Sequence, residues 1–184
     1  MSLSPSDVWL LPGWQNSNEL HWQSRWQKQH GCHRIEQSDW LWPKRGDWIT
    51  RLEDALDQRT PDDPPVVIAA HSLGCHLVAA WAAQSRFTHR VKSAFLVAPP
   101  DLERPNAPVQ LLNWRPVATQ PLPFKSLLLG SADDPYCTLE CSEQLALNWG
   151  ADWSNVGPLG HINSESGLLD WPQGWRMLHT FAEN

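Results

Sequence analysis

Three side-chain types in this sequence, taken in chain order, could make an alcohol attack a carbonyl: Ser72, a carboxylate at Asp133 or Asp134, and His161. A serine hydroxyl is a poor nucleophile near neutral pH. It needs an imidazole to take its proton, and the imidazole needs a carboxylate to fix its tautomer and stabilise its charged form. The residues lie far apart in the chain, so the question is whether the elements around them could bring them to one place.

Ser72 stands in Ala70-His71-Ser72-Leu73-Gly74, after the apolar run Val66-Val67-Ile68-Ala69-Ala70 and before Leu77, Ala79, Ala80, Trp81, Ala82 and Ala83. The run before it suits a strand buried on both faces, and the residues after it favour a helix. A strand that becomes a helix within three or four residues must bend sharply, which requires small neighbours, and Ala70 and Gly74 are small. The pattern reads as a nucleophile elbow, G-x-S-x-G with alanine replacing the first glycine. Ser72 would sit at its apex and the Leu73 amide at a helix N-terminus. The competing reading is that Ser72 only caps the helix beginning near Gly74.

The other two members also follow predicted strands. Ser126-Leu-Leu-Leu-Gly130 precedes the loop Ser131-Ala-Asp-Asp-Pro-Tyr136, and Asp152-Trp-Ser-Asn-Val156 precedes Gly157-Pro-Leu-Gly-His161. Alone, His161 reads as a surface-loop histidine and Asp134-Pro135 as a turn; the agreement of three placements gives the pattern its weight. Val8-Trp9-Leu10-Leu11 reads as a first strand, followed by Pro12-Gly13-Trp14. In an open parallel sheet, ligands bind at the carboxyl ends of strands. The Trp14 amide is therefore a candidate second oxyanion donor beside that of Leu73, and an ordinary βα turn is the alternative.

The remaining elements are read from periodicity and punctuation. Leu20 to Gln29 predicts a helix with Trp22 and Trp26 four apart and Gly31 as its stop, and Arg34–Gln37 a short second strand. Asp47 to Asp57 predicts a helix with Asp47 as N-cap. Ala94–Ala98 is a further strand, and residues 101–122 are a proline-rich loop with room for a short helix, placed to form part of a binding site. Thr138 to Trp149 predicts a helix with Leu139, Leu145 and Leu147 as its apolar positions and Gly150 as its stop. Gly174 to Ala182 predicts a last helix. Strands and helices alternate throughout, which predicts a mostly parallel sheet with helices on both faces.

Composition narrows the class. The 184 residues suit one domain spanning 1–184, and 41% hydrophobic with 18% charged residues suits a soluble globular chain. A net charge of -6, with no local patch of basic residues along the chain, gives no reason to expect nucleic acid as a partner. No apolar run is long enough for a membrane span, and a cytoplasmic location is the default expectation. Cys32, Cys75, Cys137 and Cys141 show no disulfide pattern, and neither His30-Gly-Cys-His33 nor the Cys137/Cys141 pair has partners at a zinc-site spacing. Tryptophan is in surplus, thirteen against four phenylalanines and one tyrosine. Packing of loops onto the sheet is the expected role for most of them, and an aromatic wall round a pocket the alternative.

Taken together, Leu11-Pro-Gly13, Ala70-His-Ser-Leu-Gly74, Gly130-Ser-Ala-Asp-Asp-Pro135 and Gly160-His161 resemble the small α/β-hydrolase serine hydrolases of the YdeN and retinoblastoma-binding-protein-9 type. The resemblance spans nearly the whole chain. It implies a three-layer α/β-hydrolase fold with no full cap domain, Ser72 as nucleophile, and His161 as general base and then acid. It also implies Asp134 rather than Asp133 as the orienting carboxylate, and hydrolysis of a small-molecule ester with no metal or organic cofactor. Pro12-Gly13-Trp14 departs from the His-Gly that many hydrolases carry in this loop. A hydrolase-like protein that binds a ligand or protein partner without turnover is the reading from a different class. Nothing in the sequence sets an oligomeric state.

Overall fold

The computed structural model describes residues 3–183 and is built on one six-stranded sheet. The strands are β1 (Val8–Leu11), β2 (His33–Arg34), β3 (Val66–His71), β4 (Val91–Val97), β5 (Lys125–Gly130) and β6 (Asp152–Asn155). All neighbouring pairs are parallel, in the order β2-β1-β3-β4-β5-β6. The chain runs outward from β1 to β2 and then returns to β3 on the other side of β1. That reversal opens a crevice at the carboxyl ends of β1 and β3, where open α/β sheets bind ligands.

Alternation along the strands divides the core into two clusters. Trp9, Leu11, Ile68, Ala70, Ala94, Leu96 and Leu128 face one side, and Val8, Leu10, Val67, Ala69, Phe95, Val97 and Leu129 the other. Helices α2 (Arg45–Asp57), α3 (Leu73–Ala82) and α4 (Leu139–Trp149) cover the first face through Trp48, Leu52, Leu77, Trp81, Leu145 and Trp149. The second face is covered by α1 (Trp22–His30) and α5 (Pro172–Glu183), through Trp22, Trp26, Leu178 and Ala182. These are the three layers expected. Among the described residues no helix is long and apolar enough to cross a membrane.

The tryptophan surplus is mostly core, and it fastens loops. Trp22, Trp26, Trp48, Trp81, Trp114 and Trp149 are fully buried. A buried indole N–H needs an acceptor, and five of these six find one on a backbone carbonyl: Ile162, Asp170, Asp39, Pro43 and Ala118. Trp81 donates instead to Glu53 Oε2 at 2.6 Å. Each ring fills the core with its body, and five of the six tie an irregular segment with their edge, while Trp81 ties α3 to α2.

Several boundaries differ from the sequence reading. The second strand is His33–Arg34, because after Arg34 the chain turns Ile35 into the core, with the Ile35 amide still donating to Leu10 O at 3.0 Å. Asp47 does not cap α2. The helix begins at Arg45 with Lys44 as N-cap, since Asn113 Oδ1 from the β4–β5 loop takes the Arg45 amide hydrogen at 2.9 Å and does the capping from outside. Asp47 lies in the first turn, where its charge opposes the helix dipole favourably. In α4, Leu147 is exposed; the buried stripe is Ser142, Leu145, Ala146 and Trp149, a spacing of three and four that points Leu147 away. The loop after β4 does hold a short 3-10 helix, Val109–Trp114.

Candidate active site

β3 is buried at all six positions and runs into α3 through Ser72 alone, which takes φ 55° and ψ -124°. A non-glycine residue there is strained by about 1–3 kcal/mol, and the surroundings must hold it. They do so with the Ser72 amide donating to Val97 O at 2.9 Å, Ser72 O accepting from Cys75 N at 2.9 Å, and close packing on β1. A Cβ on Gly74 would overlap Leu11 O and approach Pro12 O to 3.0 Å, so position 74 admits only glycine if β1 stays in place. Ser72 precedes the first helical residue, yet its side chain makes no capping bond. Its hydroxyl is directed elsewhere.

That direction is His161. Ser72 Oγ lies 2.9 Å from His161 Nε2, and His161 Nδ1 lies 2.9 and 3.1 Å from Asp134 Oδ2 and Oδ1. The carboxylate can only accept, so Nδ1 carries the proton and Nε2 offers its lone pair to the Ser72 hydroxyl. The Asp134 side chain is 2% exposed and that of His161 10%, so the pair is shielded from water. Asp134 Oδ1 also accepts from the Tyr136 amide at 2.9 Å. The Tyr136 ring stands edge-on to His161 with centroids 4.7 Å apart.

The two neighbouring acids have different partners. Asp133 Oδ1 accepts the Gly160 amide at 2.7 Å and the Ser131 hydroxyl at 3.0 Å, tying the β5 loop to the backbone beside His161 without touching its ring. Ser131 Oγ in turn accepts from the Leu159 amide at 2.9 Å.

Ser72, Leu73, Trp14 and His161 line one cleft of about 380 Å³, within the range that takes a small ligand. The β1 loop touches the turn directly: a Cβ on Gly13 would lie 2.7 Å from Ser72 Cβ and 3.1 Å from Leu73 N. Trp14 is held by its indole donating to Leu41 O at 3.0 Å. Pro100, Leu102, Pro108 and Leu111 from the β4–β5 loop form an apolar wall, as the placement of that loop predicted, and Asn18, Asn163 and Ser164 a polar one. Of the thirteen tryptophans only Trp14 lines this cleft, so the aromatic-wall reading holds for one ring.

Two residues that the sequence did not single out are central. His71, the last residue of β3, is buried, and its Nε2 donates to His161 O at 2.8 Å. His21 packs edge-on to it, with centroids 4.6 Å apart. Burial, with Arg34 and His161 adding positive potential, pushes the His21 pKa down to about 3. Burial first, then His21 and His161, hold His71 well below 6.5. Both rings are neutral at ordinary pH, so a positive charge placed on His161 would meet no resident positive charge from them. A histidine before the serine offers no periodicity or spacing that betrays such a contact across 90 residues.

The parallel sheet, its order and the strand-turn-helix at Ser72 define an α/β-hydrolase fold. A profile of the serine hydrolase family matches residues 8–180, and the chain belongs to that family. Among solved structures, a YdeN-like hydrolase of Pectobacterium atrosepticum shares 27% identity over 96% of this chain and 90% of its own, with a TM-score of 0.82. The YdeN gene product of Bacillus subtilis shares 18% over 96% and 98%, TM-score 0.71. The carboxylesterase CesB of Bacillus subtilis shares 15% over 95% and 82%, TM-score 0.60. The resemblance to YdeN-type hydrolases read from the motifs is thereby borne out. No curated protein sequence matches this chain.

Proposed function

We propose that this hydrolase cleaves small carboxylic esters through an acyl-enzyme. Ser72 Oγ attacks the ester carbonyl carbon while His161 Nε2 takes its proton, and Asp134 holds the Nδ1–H and stabilises the imidazolium. The amides of Leu73 and Trp14 receive the oxyanion. Collapse breaks the bond to the alcohol, which leaves with the proton from His161. Water then gives its proton to the same nitrogen and attacks the acyl carbon, releasing the acid and restoring Ser72. No step calls for a metal or an organic cofactor.

The observation that carries this reading is the unbroken line of hydrogen bonds from Asp134 through His161 to Ser72, at 2.9 Å on both sides of the ring. The carboxylesterase among the similar structures gives the same fold an ester-cleaving precedent. Incubation with a fluorophosphonate probe is expected to leave one adduct, on Ser72. Ser72→Ala is expected to lower turnover of a short-chain nitrophenyl ester on the order of 10³-fold or more. A protein that bound ligand without turnover would give neither an adduct nor a burst of nitrophenol; either result rejects the esterase.

A further inference from the structure

His161 sits in the long stretch between Asn155, the end of β6, and Pro172, the start of α5, irregular apart from a 3-10 turn at Ser164–Ser166 that does not include it. No strand or helix fixes its backbone, yet its ring meets Ser72 Oγ at 2.9 Å. Two consecutive carbonyls of this stretch are held by ring N–H groups from elsewhere in the fold. His71 Nε2 donates to His161 O at 2.8 Å, and Trp22 Nε1 donates to Ile162 O at 2.9 Å. A carbonyl only accepts, so the hydrogen on His71 must be on Nε2.

Between these two carbonyls the backbone is under strain. Ile162 has φ 49°, a left-handed conformation that a β-branched side chain strongly disfavours, and it is completely buried. Such a conformation persists only where the surroundings impose it. The two donors are themselves locked. Trp22 opens α1 and packs on Trp26 and Trp171, with centroids 4.5 and 5.3 Å apart. His71 is wedged between His21, at 4.6 Å, and His161, at 4.9 Å, and it is the covalent neighbour of Ser72.

We propose that His71 and Trp22 are positioning residues that clamp the carbonyls of His161 and Ile162, hold Ile162 in its strained turn, and so set the distance from His161 Nε2 to Ser72 Oγ. The inference rests on His161 acting as the base of the proposed ester hydrolysis. Neither residue touches the reacting atoms. His71 ties the strand that ends at the nucleophile to the loop that carries the base, so the two move as one piece.

A misplacement near 1 Å in such a pair costs on the order of 10²-fold in rate. His71→Phe keeps a ring but loses the donor, and is expected to lower kcat about 10²-fold with KM little changed. His71→Gln keeps an N–H of similar reach and is expected to recover most of that loss, whereas the shorter His71→Asn is not. Trp22→Phe, which removes only the second clamp point, is expected to lower kcat about tenfold by the same sensitivity to position.

A second readout needs no turnover. The His161 Nδ1–H shared with Asp134 should give a low-field proton resonance in the resting protein. His71→Phe should broaden or shift it and His71→Gln retain it. A failure of Ser72→Ala to abolish esterase activity would reject the esterase reading yet leave this resonance test of the clamp intact. The clamp is overturned if folded His71→Phe keeps both kcat and the resonance, or if it changes KM alone, which would make His71 merely a wall of the cleft. Should His71→Phe not fold, equal kcat and equal resonances in His71→Gln, His71→Asn and Trp22→Phe would overturn it just as well.

Discussion

Ser72 and His161 meet at 2.9 Å, but the molecule holds them by different means. Ser72 is fixed by regular structure: a strand buried along its whole length, a helix starting at the next residue, and a turn packed on β1. His161 is fixed by scattered polar bonds. Gly160 N donates to Asp133, Leu159 N to Ser131, Leu159 O accepts from Ser166, and the two carbonyls beyond accept from His71 and Trp22. Ser72 thus depends on backbone shape and close packing, whereas His161 depends on individual side chains. Mutations should damage the two regions differently, by loss of fold in the first and by loss of rate in a folded protein in the second.

The largest expected effect is on the packed side. Gly74→Ala puts a Cβ into Leu11 O, and backbone cannot rotate away as a flexible side chain could. Either β1 separates from the turn or α3 shifts, and both uncouple the sheet at its centre. A cost above about 4 kcal/mol is expected, a large fraction of the stability of a domain this size. Chemical denaturation of the purified variant checks it; a midpoint close to that of the parent would show that the contact between turn and first strand is looser than the geometry implies.

On the polar side the two adjacent acids offer an internal comparison. Asp134→Asn leaves the shape but can present its amide N–H to His161 Nδ1, favouring the wrong tautomer, and a loss of about 10⁴-fold in kcat is expected with the fold intact. Asp133→Asn keeps an oxygen for the Gly160 amide and the Ser131 hydroxyl and loses only the charge behind those two bonds. A loss of about tenfold or less is expected, since weakening a charge-assisted bond costs about 1 kcal/mol. Steady-state kinetics on one ester, with melting curves alongside, separates the two. Equal losses would mean that the acids share the work, against the division the distances describe.

The same contrast explains what could be read from the sequence. Strands β1, β3, β4 and β5 announce themselves as short apolar runs because burial on both faces demands it, and the turn at Ser72 shows as small residues at fixed offsets. The order serine, acid, histidine could be read because each follows a recognisable strand. What could not be read was fixed by partners remote in the chain. Asn113 takes the capping role predicted for Asp47, and the face that α4 turns to the sheet leaves Leu147 in solvent. His71 and Trp22 reach carbonyls 90 and 140 positions away. A hydrogen bond from a side chain to a distant backbone leaves no periodicity, and the acceptor's residue type is irrelevant to it, so no pattern in the sequence marks the site.

A last effect, spread over pH units rather than made by one lost contact, probes how dry the packed side is. His76 lies on α3, fully buried, with Nε2 donating to Pro100 O at 2.8 Å, its ring edge-on to Trp149 and Nδ1 without a partner. Burial pushes its pKa down to about 4, against smaller opposing contributions from the Pro100 carbonyl, Asp101 and Glu103. In the unfolded chain the group titrates near 6.5. Between these values the unfolded state holds the extra proton, so lowering the pH from 6.5 towards 4 removes stability, at up to about 1.4 kcal/mol per pH unit for this one group. His21 and His71 add slopes of the same sign, and His76→Gln isolates the third by keeping a donor for Pro100 O while removing the titration. Denaturation midpoints measured from pH 7.5 to 4.5 should run parallel for parent and variant above pH 7 and diverge below 6, with the variant the flatter. Parallel curves throughout would mean that water reaches His76 in the folded protein, and that the regular half is less tightly closed than its packing indicates.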